Sequence, residues 1–149
     1  MPKLGNAGTS CFTNGLNLRK ICLPILQNIP QAMCDFCNKL VEVDLPNAKT
    51  IATEAFQRAT LLTRVILRNS VVCTLSHKYA FRWCYRLSGE VNASSNPEGL
   101  KDGYIYVPRD LVESYKTATN WSNFATQFRA LEDYTVDGTT TGALDESKI

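Results

Sequence analysis

A chain of 149 residues, 44% hydrophobic and 20% charged, suffices for one packed core and carries too much apolar mass to remain disordered. No run approaches the roughly 20 apolar residues that a bilayer span requires, and the small net charge of +2 excludes a strongly acidic or basic solvating chain. Residues 1–15 lack the apolar core of a secretory leader, so a cytoplasmic location is expected, or a virion if the chain is a viral structural protein. In such a reducing setting most of the six cysteines are expected as free thiols in the core.

Residues 1–15 are rich in Gly, Asn, Ser and Thr without a period and read as a mobile arm; residues 16–133 read as a single globular domain. Pro24 breaks the helical content of residues 17–28 into short pieces. Pro30 suits a first helical turn, and Met33, Cys37, Leu40 and Val41 then recur at three-and-four spacing, which predicts a helix to about Val41. Asp44-Leu45-Pro46 reads as a cap, and Ala48, Ile51, Ala52, Ala55, Ala59, Leu62 and Ile66 form the stripe of a longer helix to about Arg68.

From Val71 to Leu87 the odd positions are apolar or aromatic apart from His77, which predicts strand with a turn around Ser76 to Lys78. A helix is the alternative, since Lys78, Arg82 and Arg86 fall four apart. Residues 92–103 read as a loop, and Tyr104 to Val107 as a strand pairing with Phe81 to Leu87 and stopped by Pro108. Asp110 and Asn120 are placed to cap two further helices, the second with Trp121, Phe124, Phe128 and Leu131 on one face. Residues 134–149, with Asp137, Asp145 and Glu146, read as a flexible acidic tail. No internal repeat stands out. The expected fold is α+β: N-terminal helices, a small antiparallel sheet in the middle, C-terminal helices and flexible termini.

The C-x-x-C of Cys34 and Cys37 invites metal chemistry, with Cys73, His77 or Cys84 as candidates to complete four ligands. No second close pair exists, so no cofactor is expected, and a zinc-stabilised interaction module using Cys34, Cys37, Cys73 and His77 is the alternative reading. His77 is the only histidine and no nucleophile elbow, phosphate loop or metalloprotease motif appears, which argues against an enzyme. The most distinctive feature is basic: Arg58, Arg64, Arg68, Lys78, Arg82 and Arg86 follow one another with no acidic residue between. Arg64, Arg68, Lys78, Arg82 and Arg86, backed by aromatic surface, are the expected contacts to a polyanion, RNA foremost. The expected function is therefore a nucleic-acid-binding or self-assembling structural protein, capsid-like or nucleoprotein-like, forming homo-oligomers and not engaging a membrane.

Overall fold

The computed structural model describes Gly8, Phe12, Thr13, Gly15 and residues 17–149, so most of the expected arm lies outside the described residues. The strands in chain order are β1 (Lys20–Cys22), β2 (Asn28–Ile29), β3 (Glu42–Leu45), β4 (Thr50–Ile51), β5 (Arg64–Leu67), β6 (Thr74–Leu75), β7 (Tyr104–Val107) and β8 (Phe128–Ala130). They form two sheets, ordered β1-β3-β5-β7-β8 and β2-β4-β6, and every pairing is parallel. Register pairs Lys20 with Glu42 and Glu42 with Arg64, and Asn28 with Thr50, so the chain returns to the same place every 22 residues. The arrangement departs from a layered domain: it is a solenoid, in which each coil stacks on the last.

The stacking follows from which side chains face inward. Ile21, Val43, Val65, Ile105 and Phe128 occupy one register row and are all buried; Ile29, Ile51 and Leu75 form the matching row of the second sheet. Each such aliphatic residue contributes roughly 1.5–3 kcal/mol by leaving water, but only once the neighbouring coil covers it. A third seam runs through the corners, where Cys34 N–H donates to Ala55 O at 2.7 Å, Phe56 N–H to Ala80 O at 2.8 Å, and Arg58 N–H to Arg82 O at 2.8 Å. Backbone donors in the non-strand corners are thereby satisfied by the next coil. Side chains reinforce the stack: Asn47 donates to the Pro24 carbonyl, and Asn69, one period later, to that of Ala48.

The expected α+β plan with N-terminal helices, an antiparallel sheet and C-terminal helices does not form. Residues 30–41 are turns, and the stretch expected as the long helix to Arg68 holds β3, β4 and β5 instead. A coil that bends every few residues presents an inward side chain at every third or fourth position, so the buried Leu45, Ala48, Ile51, Ala55, Ala59 and Leu62 imitate a helical stripe. Within residues 71–87 only β6 is strand; a 3-10 turn at Lys78–Phe81 and the single helical turn α1 (Tyr85–Ser88) follow, ended by Gly89 at φ 77°. The strand Tyr104–Val107 is present, but its partners are β5 and β8, both parallel. Among the described residues no helix is long and apolar enough to cross a membrane.

The step from β5 to β7, Arg64 to Tyr104, is longer than a repeat because a loop is inserted after α1. Buried Asn96 organises it, donating to the carbonyls of Glu90 at 2.9 Å and Leu100 at 3.1 Å while accepting from Leu100 N–H. Beyond β7, helix α2 (Val112–Thr117) and a 3-10 segment at Trp121–Gln127 close the end of the solenoid. Tyr115 accepts from Cys73 N–H at 2.8 Å, Trp121 donates to Cys73 O at 2.6 Å, and Asn120 donates to Leu75 O at 2.7 Å. These side chains satisfy the open edge of β6, where a fourth strand would otherwise be needed.

Residues 134–149, expected as a flexible tail, lie against the outward face of the larger sheet. An antiparallel bridge joins Thr135 and Leu144, and Ile66, Tyr106 and Leu131 are buried in a small second core with Tyr104, Tyr134 and Leu144. Arg68 holds this segment, donating to Thr140 O at 2.7 Å and Gly142 O at 2.8 Å.

The corners carry left-handed backbone at residues other than glycine. Ala32 (φ 53°) and Glu54 (φ 60°) stand one period apart, as do Phe36 (φ 63°) and Arg58 (φ 64°), with Trp83 (φ 61°) at the same corner of the next coil. This conformation costs an alanine roughly 1–2 kcal/mol, more than glycine's extra freedom costs in the unfolded chain. Ala32→Gly is accordingly expected to raise the unfolding free energy by about 0.5–1 kcal/mol in denaturant titration; a lower midpoint would contradict the strain.

Candidate interaction surface

The left-handed corners build a ridge. Because Phe36, Arg58 and Trp83 occupy equivalent places in successive coils, their side chains project from one edge of the solenoid in a column. The Arg58 guanidinium carbon lies 3.9 Å from the Phe36 ring centroid and 4.8 Å from that of Trp83. Arg82 continues the stack, 4.0 Å from Trp83 and 4.8 Å from Tyr79. The column therefore alternates aromatic ring and guanidinium: Phe36, Arg58, Trp83, Arg82, Tyr79. Phe36 and Tyr79 are each 41% exposed, a large fraction for aromatic residues in a molecule whose other aromatic rings mostly sit in the core.

Trp83 separates two clefts. One, of about 410 Å³, is lined by Phe36, Arg58, Trp83, Tyr85, Asn92 and Ser95. The other, of about 460 Å³, is lined by Lys78, Tyr79, Arg82, Trp83 and Phe124. Arg58 is held by Asp35 at 3.2 Å, whereas neither Lys78 nor Arg82 pairs with a carboxylate among the described residues. The ridge thus carries uncompensated positive charge at its Tyr79 end.

The five basic residues singled out from the sequence do not form one surface. Arg64, on the outward face, pairs with Glu42 at 3.4 Å and Glu146 at 2.9 Å; Arg68 grips Asp44 with two nitrogens; Arg86 pairs with Asp102. Of the five, only Lys78 and Arg82 pair with no carboxylate among the described residues, and they belong to the ridge. No local sequence motif marks Phe36, Arg58 or Trp83 as a site residue. The 22-residue offset between Phe36 and Arg58 is the signal that would have marked them.

The candidate metal ligands are likewise separated by role. Cys34, Cys37 and Cys73 are buried among core side chains, and burial pushes the Cys73 thiol up to about 12. Hydrogen bonding from Cys34 holds the Cys37 thiol below its ordinary value, against the opposing effect of burial. His77 caps the 3-10 turn, its Nδ1 accepting from Tyr79 N–H at 3.1 Å, and is exposed. Among the described residues no group of three or more His, Cys, Asp or Glu side chains converges.

Residues 2–106 match the family model described as BspA type Leucine rich repeat region (6 copies), and that span contains the stacked coils. The chain belongs to the BspA-type leucine-rich repeat family. The match covers well over half of the sequence and ends within β7, so the insertion after α1 lies inside the repeat region and the closing segment lies beyond it. No curated protein matches the chain. Membership in this repeat family, together with the all-parallel sheets, overturns the capsid-like, self-assembling and nucleic-acid-binding expectation, and gives no footing to the zinc-stabilised module. Regularly repeated coils create extended surfaces, which is the property that interaction repeats exploit.

Proposed function

We propose that this chain is a non-enzymatic protein-interaction module that receives an acidic segment of a partner protein across the Phe36–Arg58–Trp83–Arg82–Tyr79 ridge. The observation that carries this reading is the alternating stack itself, with two clefts meeting at Trp83. Tyr, Trp and Arg are the residues in which binding energy concentrates at protein interfaces. Each guanidinium is oriented by the rings on either side, so less side-chain entropy is lost when a carboxylate docks. Lys78 and Arg82 supply the charge that would favour acidic side chains, while Phe36 and Trp83 offer apolar contact. The outward sheet face is a weaker candidate, since residues 134–149 already cover Ile66 and Tyr106 there.

A displayed peptide library selected against the whole protein tests this directly. Selected peptides are expected to be rich in Asp and Glu beside an apolar residue, and to bind at least tenfold more weakly to Trp83→Ala and to Arg82→Glu, with circular dichroism unchanged. Peptides without acidic bias, or binding indifferent to both substitutions, would count against the ridge.

A further inference from the structure

On the outward face, away from the ridge, a cavity of about 480 Å³ opens over β5 and β7. Its lining brings together Tyr104, Tyr106, Tyr134, Arg64, Arg86 and Arg129. The register explains the gathering: Arg64 stands beside Tyr104, Tyr106 beside Arg129, and the returning C-terminal segment adds Tyr134 against Tyr106 at a ring separation of 5.1 Å.

Two of the three arginines are occupied, Arg64 by Glu42 and Glu146 and Arg86 by Asp102. Arg129 differs. Its guanidinium carbon lies 4.3 Å from the Tyr104 ring centroid, and one nitrogen, Nη1, donates to Thr126 O at 3.0 Å and Phe128 O at 2.8 Å. Those contacts fix the plane of the group, yet Nε and Nη2 make no hydrogen bond to another described residue, and no described carboxylate pairs with it. None of the three phenol hydroxyls hydrogen-bonds another described residue either, although Tyr106 is 1% exposed. Burial pushes the Tyr106 phenol up to about 12, so at neutral pH it remains a donor. An oriented guanidinium edge beside three hydroxyls that no other described residue hydrogen-bonds, in a cavity of the size that takes small molecules, is the arrangement that recognises an anion by paired hydrogen bonds.

We infer that this cavity is a binding site for a small oxyanion, a carboxylate or phosphate group on a compact polar body, held by Arg129 with Tyr104, Tyr106 and Tyr134. The anionic group would take the free guanidinium edge, and the hydroxyls would donate to the oxygen lone pairs left over. The inference is independent of the ridge, which shares none of these residues.

Titration of the whole protein with inorganic phosphate, glucuronate and glucose, followed by calorimetry and by tyrosine ring signals in NMR, tests it. At least one of the two anions is expected to bind with millimolar affinity or better, weakening with added salt, while glucose, lacking the charge, does not. Which anion binds identifies whether the source is a carboxylate or a phosphate. Tyr106→Phe keeps the ring packing and is expected to weaken binding several-fold; Arg129→Gln is expected to weaken it at least tenfold. Failure of both anions at tens of millimolar, glucose binding as well as glucuronate, or affinity unchanged in Tyr106→Phe and Arg129→Gln would each overturn the site.

Discussion

Arg68→Ala is expected to lower the unfolding free energy by about 3 kcal/mol or more and to release residues 134–149 from the sheet. Arg68 and Asp44 are only 10% and 16% exposed, and the guanidinium meets the carboxylate through Nε at 2.9 Å and Nη2 at 3.0 Å. Its remaining nitrogen spans the gap to Thr140 and Gly142. Truncation removes both attachments at once and leaves Asp44 mostly buried without its partner, which is the costly part, because an uncompensated buried charge forfeits solvation with nothing in return. Arg68→Lys should fall between, keeping charge but losing the planar fork that reaches a carboxylate and two carbonyls together. Denaturant titration gives the energy, and limited proteolysis within residues 136–143 reports the release. An unchanged midpoint with undiminished protease resistance would mean that Tyr134 and Leu144 hold the segment by apolar contact alone.

The same residue shows how a sequence pattern can be sound and its meaning misplaced. Arg64, Arg68 and Arg86 belong to a run with no acid among them, which along the chain reads as a surface awaiting a polyanion. Their carboxylates come from elsewhere in the chain: Glu42 and Asp44 from the preceding coil, Glu146 from the end of the sequence, Asp102 from beyond the insertion. In a solenoid the neighbours of a residue lie one period away, so charge balance read along the chain differs from charge balance across the sheet. Parallel register converts the local run into cross-strand pairs such as Glu42 with Arg64.

Much the same holds for the fold. The strand Tyr104–Val107 and the break at Pro108 are legible because each depends on a few adjacent residues. The coils are not, because their period is neither 2 nor 3.6. Its trace lies in offsets of 22: Ile21, Val43 and Val65; Leu23, Leu45 and Leu67; Leu40 and Leu62; Pro24 and Pro46; Asn47 and Asn69. Two things blurred it. Equivalent inward positions differ in size, as where Cys34 precedes Phe56 at one corner seam, since a large side chain on one coil is accommodated by a small one on the next. The period also stretches, to 24 between Thr50 and Thr74, and gives way altogether at the insertion before Tyr104.

Where the repeat ends, the demand on individual side chains is greatest, and Trp121→Ala is expected to cost about 3–5 kcal/mol, lowering the melting temperature by roughly 10 °C in a chain of this length. Trp121 is fully buried and joins the coils to the closing segment through tilted and edge contacts to Phe81, Tyr115 and Phe128, with centroids 5.9, 5.5 and 6.0 Å away. Truncation opens a cavity among these rings and also removes the donor to Cys73 O. The two contributions separate by substitution. Trp121→Phe retains most of the ring volume and loses the hydrogen bond, while Tyr115→Phe keeps the packing and strips the acceptor from Cys73 N–H, a buried donor whose loss of partner costs about 1–3 kcal/mol. If the closing segment acts chiefly by satisfying the β6 edge, the two phenylalanine variants should together approach the cost of Trp121→Ala. If packing dominates, Trp121→Phe should be mild and Trp121→Ala severe, and the size of the aromatic contacts favours this outcome. A mild Trp121→Ala would show that the last coil is stable without its cover, contrary to the requirement that an exposed solenoid end be capped.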